Sequence, residues 1–148
     1  MTTIIPLKIQ IKVEIPPVAE RCVKEFGITP TETFFAYAGA IYNPGNNPIA
    51  FHVLAHEATH IHQQSRENMT PDKWWDMYFS DVSFRLGQET EAYAVQYQSY
   101  CKKIKDRNSQ GRFLWWCAGQ LACDFYGKMV TTNEAINIIK NFNFKKHD

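Results

Sequence analysis

The sequence predicts an α+β fold in which a small N-terminal sheet packs on a mostly helical body. Two observations support this prediction: one segment near the N-terminus alternates strictly between apolar and polar residues, and the later segments have apolar residues at helical spacing. Of the 148 residues, 45% are hydrophobic and 14% are aromatic. This is enough apolar material for one packed core, so we predict a single domain that spans 1–148.

The N-terminal part of the chain has the pattern of a strand, a helix and a second strand. Residues 8–15 alternate between isoleucine or valine and polar side chains, which predicts a strand with one covered face. Residues 17–26 predict a short helix that Gly27 ends, and the aromatic segment 33–42, interrupted by Gly39, predicts the second strand. This order of elements favours a small sheet with a crossover connection.

The rest of the chain is divided into predicted helices by residues that favour helix starts. Asn47 is a good N-cap and Pro48 a good first residue for a central helix that ends near Ser65 or Arg66. Later starts are predicted at Thr70 with Pro71, at Ser80 or Asp81 for a long helix that runs to about Lys105, at Gln110 for a helix to Tyr126, and at Thr131 through a capping box. The aromatic residues of segment 74–79 are assigned to the core.

The central helix contains the pattern H-E-x-x-H as His56, Glu57 and His60. Residues four apart lie on the same face of a helix, so both imidazoles can bind one metal ion. Glu57 is rotated by about 100° from His56 and can reach a water on that ion without binding the ion itself. Zinc (Zn2+) is the expected metal, because it takes imidazole and carboxylate ligands and lowers the pKa of a bound water to about 7.

A carboxylate on the following long helix is the expected third ligand. Glu89 falls on an inward stripe of mainly apolar and aromatic residues, and a bound metal is the best reason for a carboxylate in that place. Glu91 lies about 200° around the helix from Glu89 and is the alternative. The pattern therefore favours His56, His60 and Glu89 as metal ligands, with Glu91 in place of Glu89 as the second possibility.

The segments HEATHIHQQ and ETEAYAVQ together resemble the gluzincin clan of zinc metallopeptidases. The likeness is closest to small bacterial and phage domains with an HE-x-TH-x-x-QQ helix and a downstream E-x-E-A segment. Its specific part covers only about residues 51–64 and 85–98. The resemblance implies a zincin-like fold, zinc bound by His56 and His60, and Glu57 as the general base of a hydrolase.

The clan's usual downstream pattern, E-x-x-A-D, implies that Glu89 binds the metal and that Ala92 is the small residue that lets the two helices approach. The sequence departs from this pattern in one place, because Tyr93 stands where the clan has an aspartate that orients a ligand histidine. A phenol accepts the imidazole N–H more weakly than a carboxylate does. Asp76 and Asp81 are the nearby acids that could substitute.

Further polar residues are candidates for supporting roles. His52 lies one turn before His56 and either lines the cleft, serves as a fallback ligand or is an ordinary histidine. Gln63 and Gln64 are expected to bond to neighbouring backbone groups. The candidate donors for the oxyanion of peptide hydrolysis are Tyr93, Tyr97, Arg85 and His147. Segment 37–42 is a candidate edge strand that pairs with a peptide substrate.

Charge and hydropathy argue against two classes of partner. Sixteen basic and fifteen acidic residues leave a formal net charge of +1, which argues against nucleic acid and against an anionic membrane. No segment approaches the roughly 20 apolar residues of a membrane span, and the first residues lack the apolar run of a signal peptide. We therefore expect a cytoplasmic protein whose four cysteines, none in a C-x-x-C pair, are reduced and mostly buried.

Three functions fit these observations. The first is a zinc-dependent peptidase that hydrolyses a peptide or protein substrate, with Glu57 as general base. The second is a zinc-binding, peptidase-like domain that binds a protein partner with little or no hydrolysis. The third is a structural or interaction domain without a metal. Metal analysis separates the third function from the others, and a cleavage assay separates the first two. The sequence carries no signal for an oligomeric state.

Overall fold

The computed structural model describes residues 9–144, which form a three-stranded sheet and six α-helices. The strands are β1 (Gln10–Lys12), β2 (Phe35–Tyr37) and β3 (Ala40–Tyr42), in the order β1-β3-β2. The helices are α1 (Ala19–Phe26), α2 (Phe51–Gln64), α3 (Pro71–Ser80), α4 (Val82–Lys103), α5 (Arg107–Leu121) and α6 (Thr132–Lys140). Short 3-10 turns lie at Pro30–Glu32 and Asp124–Tyr126. The predicted α+β fold, with a small N-terminal sheet and a mostly helical body, is confirmed.

The first strand is shorter and more exposed than its alternating sequence predicts. β1 pairs in parallel with β3 over three residues, of which the last is Lys12, opposite Tyr42. β3 ends there, so the rest of the predicted strand has no neighbour to pair with; residue 8 lies outside the described residues. Ile11 is 51% and Val13 is 55% exposed, so the predicted covered face is wrong. Alternation gives a strand two different faces, but it does not supply a second layer to cover the apolar one.

The aromatic segment predicted as one strand is a hairpin of two strands. β2 and β3 pair antiparallel, with Ala36 opposite Ile41. Between the strands, Ala38 has a φ of 50° and Gly39 a φ of 82°, as in the two-residue turns that join hairpin strands. Because β1 and β3 are parallel, the chain between them, which includes α1, forms the predicted crossover.

Most helix ends have the predicted capping residues. Gly27 follows α1 with a φ of 67°. The side chain of Thr70 accepts a backbone hydrogen bond at the start of α3, and that of Asp81 does so at the start of α4. Thr131 forms a reciprocal capping box with Glu134 at the start of α6. The local sequence therefore fixes these boundaries.

Two helices begin elsewhere than predicted. α2 begins at Phe51 and not at Pro48. Asn47, the predicted N-cap, is instead engaged in a turn, and its side chain donates to the carbonyl of Thr31. α5 begins three residues earlier than predicted, because Asp106 accepts from the backbone N–H of Ser109 and is the N-cap. The last residues of that predicted helix form the separate 3-10 turn. In α5 a polar side chain therefore caps the start of the helix, whereas α2 begins after Ala50 without a side-chain cap.

α2 is the central element, because it packs against the sheet, α3 and α4. Its most extensive contacts are with α4, and the small residues Ala58 and Ala92 are both 0% exposed. This burial agrees with the role predicted for Ala92. Trp74, Trp75 and Tyr78 of α3 are buried in an aromatic cluster with α1 and the hairpin, as predicted for this segment. α2 and α4 are thus held in a rigid, close-packed setting.

Two findings bear on the predictions made for the cysteines and for membrane-spanning segments. All four cysteines are free thiols; Cys22 and Cys117 are buried, and Cys101 and Cys123 are half-buried. Burial raises the pKa of the Cys22 and Cys117 thiols to about 12, so both stay protonated. Among residues 9–144, no helix combines the length and the apolar composition that crossing a membrane requires.

Candidate metal centre

Helices α2 and α4 bring two histidines and one carboxylate together. His56 and His60 lie one turn apart on α2, and Glu89 faces them from α4. Oε1 of Glu89 lies 3.0 Å from Nε2 of His56 and 3.2 Å from Nε2 of His60. One potential ligand atom of each residue lies within 4.8 Å of the other two, and all three residues are buried. The structure therefore groups the three residues that the sequence predicts as metal ligands.

Hydrogen bonds determine which nitrogen of His60 carries the proton. Nδ1 of His60 lies 2.9 Å from Oε1 of Gln63. The amide nitrogen of Gln63 donates to the carbonyl of Gln88 and to the carboxylate of Glu91, both at 3.0 Å. Because both partners can only accept, the amide oxygen of Gln63 must face His60, and Nδ1 of His60 must donate. Nε2 of the neutral ring is then an acceptor that points at Glu89.

A second glutamine, on α4, has the same role for His56. Nδ1 of His56 lies 2.8 Å from Oε1 of Gln96, and the amide nitrogen of Gln96 lies 2.9 Å from Nδ1 of His52. In this orientation, Gln96 accepts from Nδ1–H of His56 and donates to His52. Nε2 of His56 is therefore also an acceptor, and it points at the same oxygen of Glu89. The structure does not support His52 as a fallback ligand, because the group of potential ligands does not include it.

If both rings are neutral, three acceptor atoms meet with no hydrogen atom between them. They are the two Nε2 atoms and Oε1 of Glu89, which finds no donor among residues 9–144 while both Nε2 atoms lack a proton. The other oxygen of Glu89 accepts from the hydroxyl of Tyr78. Buried acceptors without donors are costly unless a cation lies between them. Because imidazole nitrogen and carboxylate oxygen are typical zinc ligands, the residues present fit a zinc ion.

Without a metal, a proton on His60 relieves the same repulsion. Burial disfavours the charged imidazolium, but the carboxylate of Glu89 outweighs burial and raises the pKa of His60 to about 9. Burial alone would raise the pKa of Glu89, yet the two histidines hold that pKa well below its usual value. A proton and a metal ion would therefore compete for Nε2 of His60.

The alternative third ligand, Glu91, has other partners. One oxygen of its carboxylate lies 2.5 Å from a guanidinium nitrogen of Arg66. The other oxygen accepts from Gln63, the residue that orients His60. Glu91 is thus a buried anion, 1% exposed, that is paired and hydrogen-bonded within the protein. The group of potential ligands contains Glu89 and not Glu91.

Glu57 lies beside the three grouped residues without belonging to their group. Its Oε2 atom is 4.0 Å from Nε2 of His56, and its side chain is 12% exposed. Burial raises the pKa of Glu57 above its usual value, although the positive charges of His56 and His60 oppose this shift. A carboxylate whose pKa is raised toward neutrality is better suited to take up a proton and pass it on. The geometry is that expected of a general base.

A small cavity lies next to Glu57. Its volume is about 110 Å³, which is room for several water molecules or a small side chain. Glu57, His60 and Glu89 are among the residues that line it. The rest of the wall is largely aromatic and includes Phe26, Phe35, Trp74, Trp75, Tyr78 and Phe125. A mainly apolar pocket with a few convergent polar groups is typical of ligand sites.

Tyr93, the departure from the clan's pattern, does not orient a ligand histidine, because glutamines occupy both Nδ1 atoms. Tyr93 instead packs edge-on against the ring of His56, with the ring centroids 4.5 Å apart. The two acids considered as substitutes lie elsewhere. Asp76 pairs with Arg21 at the surface, and Asp81 caps α4. The orienting acceptors of this site are therefore amide oxygens and not carboxylates.

Sequence reasoning missed the two orienting glutamines. Gln63 follows His60 by three residues, which is a contact distance on a helix and a usable signal. Gln96 lies seven residues after Glu89, two turns further along the same stripe, but its partner depends on how the two helices cross. Gln64 does bond to backbone as predicted, since its amide donates to the carbonyl of Ala36.

One candidate oxyanion donor lies beside the grouped histidines in the described part of the chain. It is Tyr93, whose pKa is raised well above its usual value by burial and by the charge of Glu89, so its hydroxyl keeps its proton. Arg85 instead donates to two backbone carbonyls. Tyr97 lines a separate groove, and His147 lies outside the described residues.

The segment expected to pair with a peptide does not present an open strand edge. β3 is the central strand, with β1 and β2 on its two sides. In β2, the carbonyl of Ala36 accepts from the side chains of Gln64 at 2.8 Å and Trp75 at 3.0 Å. These side chains take the place that a substrate N–H would need. The expectation of strand addition at residues 37–42 is therefore wrong.

Comparisons of the chain with protein-family models, curated proteins and solved structures gave no match. The resemblance to the gluzincin clan therefore remains a prediction based on two short segments. The function has to be inferred from the geometry and chemistry of the grouped residues themselves.

The hydrogen bond from His60 to Gln63 gives a first prediction. Replacing Gln63 by leucine should weaken zinc binding by about 10–100-fold, the range typical for partners of metal-bound histidines. Gln64→Leu is the matched control, because Gln64 is also buried on α2 but bonds to Ala36 and not to a histidine. Both variants should lose stability, whereas only Gln63→Leu should lose zinc affinity in a competition titration with a chelator. Equal affinities in the two variants would contradict the role of Gln63.

Proposed function

We propose that the protein is a zinc-dependent metallopeptidase that hydrolyses peptide bonds in a cytoplasmic peptide or protein substrate. One observation carries the proposal: two imidazole nitrogens and a carboxylate oxygen, a typical set of zinc ligands, converge beside a second carboxylate that lines a cavity. The convergence argues for a cation, and the second carboxylate argues for proton transfer next to that cation. A purely structural metal site would not need Glu57 beside it.

His56, His60 and Glu89 would hold the metal through the atoms that now face one another. A zinc ion held there would act as a Lewis acid and make a nearby water easier to deprotonate. Glu57 would take the proton of the attacking water and later give it to the leaving amine. Tyr93 keeps its hydroxyl proton and is the candidate donor to the oxyanion.

A second candidate function is zinc binding for protein recognition with little or no hydrolysis. The observation that favours it is the covered edge of β2, where Gln64 and Trp75 occupy the carbonyl of Ala36. An extended peptide would have to be held near Glu57 by side-chain contacts alone. The small volume of the cavity, about 110 Å³, points the same way. In this second function the protein still binds the metal, but Glu57 does not act as a general base.

A cleavage assay separates the two candidates. Zinc-loaded protein is incubated with a mixture of unstructured peptides, and the products are identified by mass spectrometry. The proposal predicts new peptide termini that disappear with a chelator and return with added zinc. Retention of peptides on the immobilised zinc-loaded protein without any cleavage would support the recognition function instead.

The competition between proton and metal gives a pH-dependent prediction. In the metal-free protein, His60 has its pKa raised from 6.5 to about 9, so it carries a proton at neutral pH that zinc must displace. Zinc affinity should therefore rise with pH by up to about tenfold per unit, and level off above the pKa of His60. Calorimetric titrations in buffers of different ionisation enthalpy should show about one proton released per zinc at neutral pH. No proton release would contradict the extra proton on His60 in the metal-free protein.

A further inference from the structure

Gln96 connects the candidate ligand His56 to a histidine outside the metal group. The Gln96 side chain is buried, with its oxygen 2.8 Å from Nδ1 of His56 and its nitrogen 2.9 Å from Nδ1 of His52. The two glutamines of the site differ in one respect. The nitrogen of Gln63 meets two oxygens that can only accept, whereas the nitrogen of Gln96 meets one imidazole nitrogen. The orientation of Gln96 therefore depends on His52.

We propose that His52 is a positioning residue for the metal centre: it accepts a hydrogen bond from Gln96 and thereby makes His56 present Nε2 to the metal. This inference rests on the proposed metal binding. If the amide of Gln96 were reversed, its nitrogen would face His56, whose Nδ1 would then have to accept. The ring proton of His56 would move to Nε2, and that nitrogen could no longer bind a metal ion.

The surroundings of His52 keep its ring in the state that this role requires. The ring packs at steep angles against Phe51, Phe113 and Tyr100, with centroid distances of 5.2, 4.8 and 5.6 Å. This packing fixes the plane of the ring, and the contact of 2.9 Å with the amide nitrogen of Gln96 favours the orientation in which Nδ1 faces Gln96. Burial, with the charge of His56 adding to it, lowers the pKa of His52, which favours the neutral ring with one accepting nitrogen.

Two substitutions at one position separate the hydrogen bond from the packing. His52→Phe keeps an aromatic ring of similar shape but removes the acceptor. His52→Asn loses the ring but places an amide oxygen close to the position of Nδ1, where it can accept from Gln96. We expect zinc affinity to fall about tenfold in His52→Phe, the lower end of the range for groups that support metal-bound histidines, and to recover in His52→Asn.

The readouts are zinc affinity, measured by chelator competition, and the melting temperature of each metal-free variant. A packing role alone would lower the melting temperature of His52→Asn most and leave zinc affinity unrelated to the acceptor. Zinc affinity in His52→Phe equal to that of the wild type, or equally weak binding in both variants, would overturn the inference. If the wild-type protein itself bound no zinc, the proposed function would fail first, which distinguishes the two failures.

A measurement on the unmodified protein covers the case in which His52→Phe does not fold. Nitrogen-15 NMR of the zinc-loaded wild type reports which ring nitrogens carry protons. The inference predicts an unprotonated Nδ1 on His52, a protonated Nδ1 on His56, and a hydrogen-bonded amide group on Gln96. A proton on Nδ1 of His52 would mean that His52 donates to Gln96, and would overturn the inference without any substitution.

Discussion

Replacing Glu57 by glutamine is expected to abolish peptide cleavage while zinc still binds at one ion per chain. The amide keeps the shape of the side chain but cannot take a proton from water. The cleavage rate should therefore fall by about 10²–10⁴-fold. The melting temperature should stay equal or rise slightly, because burial disfavours the charged form of Glu57, as its raised pKa indicates. Cleavage rate, zinc content and thermal unfolding of the same preparation check this prediction.

A matched control for Glu57→Gln is Glu20→Gln, which removes the same charge from an exposed position on α1. The control should cleave peptides at the wild-type rate. If Glu57→Gln lost zinc or unfolded readily, Glu57 would be a ligand or a buried structural acid. The peptidase mechanism would then lack a base, and the recognition function would become the better account.

Glu89→Gln is expected to lower zinc affinity by more than about 100-fold, because it removes the only anion of the ligand group, a larger loss than that of a supporting partner. The substitution also removes the carboxylate that raises the pKa of His60. That pKa should therefore fall toward or below 6.5 in the metal-free variant, which NMR titration of the ring can follow.

Glu91→Gln is the matched comparison, two residues away on the same helix. Its amide oxygen can still accept from Gln63, so zinc affinity should stay within about threefold of the wild type. The variant should instead lose about 1–3 kcal/mol of stability, because Arg66 keeps its charge without its partner and is only 25% exposed. Loss of zinc in Glu91→Gln with retention in Glu89→Gln would reverse the assignment of the third ligand.

The grouping of His56, His60 and Glu89 could be predicted because each step is local to one helix. Spacing of four residues puts the two histidines on one face, and the stripe of α4 puts Glu89 inward and Glu91 aside. Only the contact between the two helices had to be assumed. The capped starts of α3, α4 and α6 are predictable for the same reason, since each depends on a bond within one turn.

The orienting groups could not be predicted, because they depend on contacts between distant parts of the chain. Gln96 reaches His56 across 40 positions of sequence, and only the crossing of α2 and α4 decides this. The covered edge of β2 likewise depends on Trp75, a residue 39 positions away. Exposure of the apolar face of β1 is also a tertiary property, since periodicity describes one strand and not what packs on it.

Diffraction from crystals soaked in zinc, recorded on both sides of the zinc absorption edge, tests the central claim most directly. We predict one strong anomalous peak per chain, at about 2.0–2.2 Å from Nε2 of His56, Nε2 of His60 and a carboxylate oxygen of Glu89. Refinement should keep Nδ1 of each histidine bonded to its glutamine oxygen. The account would be contradicted if fully soaked crystals showed no anomalous peak at this site, or if the zinc ion were bound through Glu91.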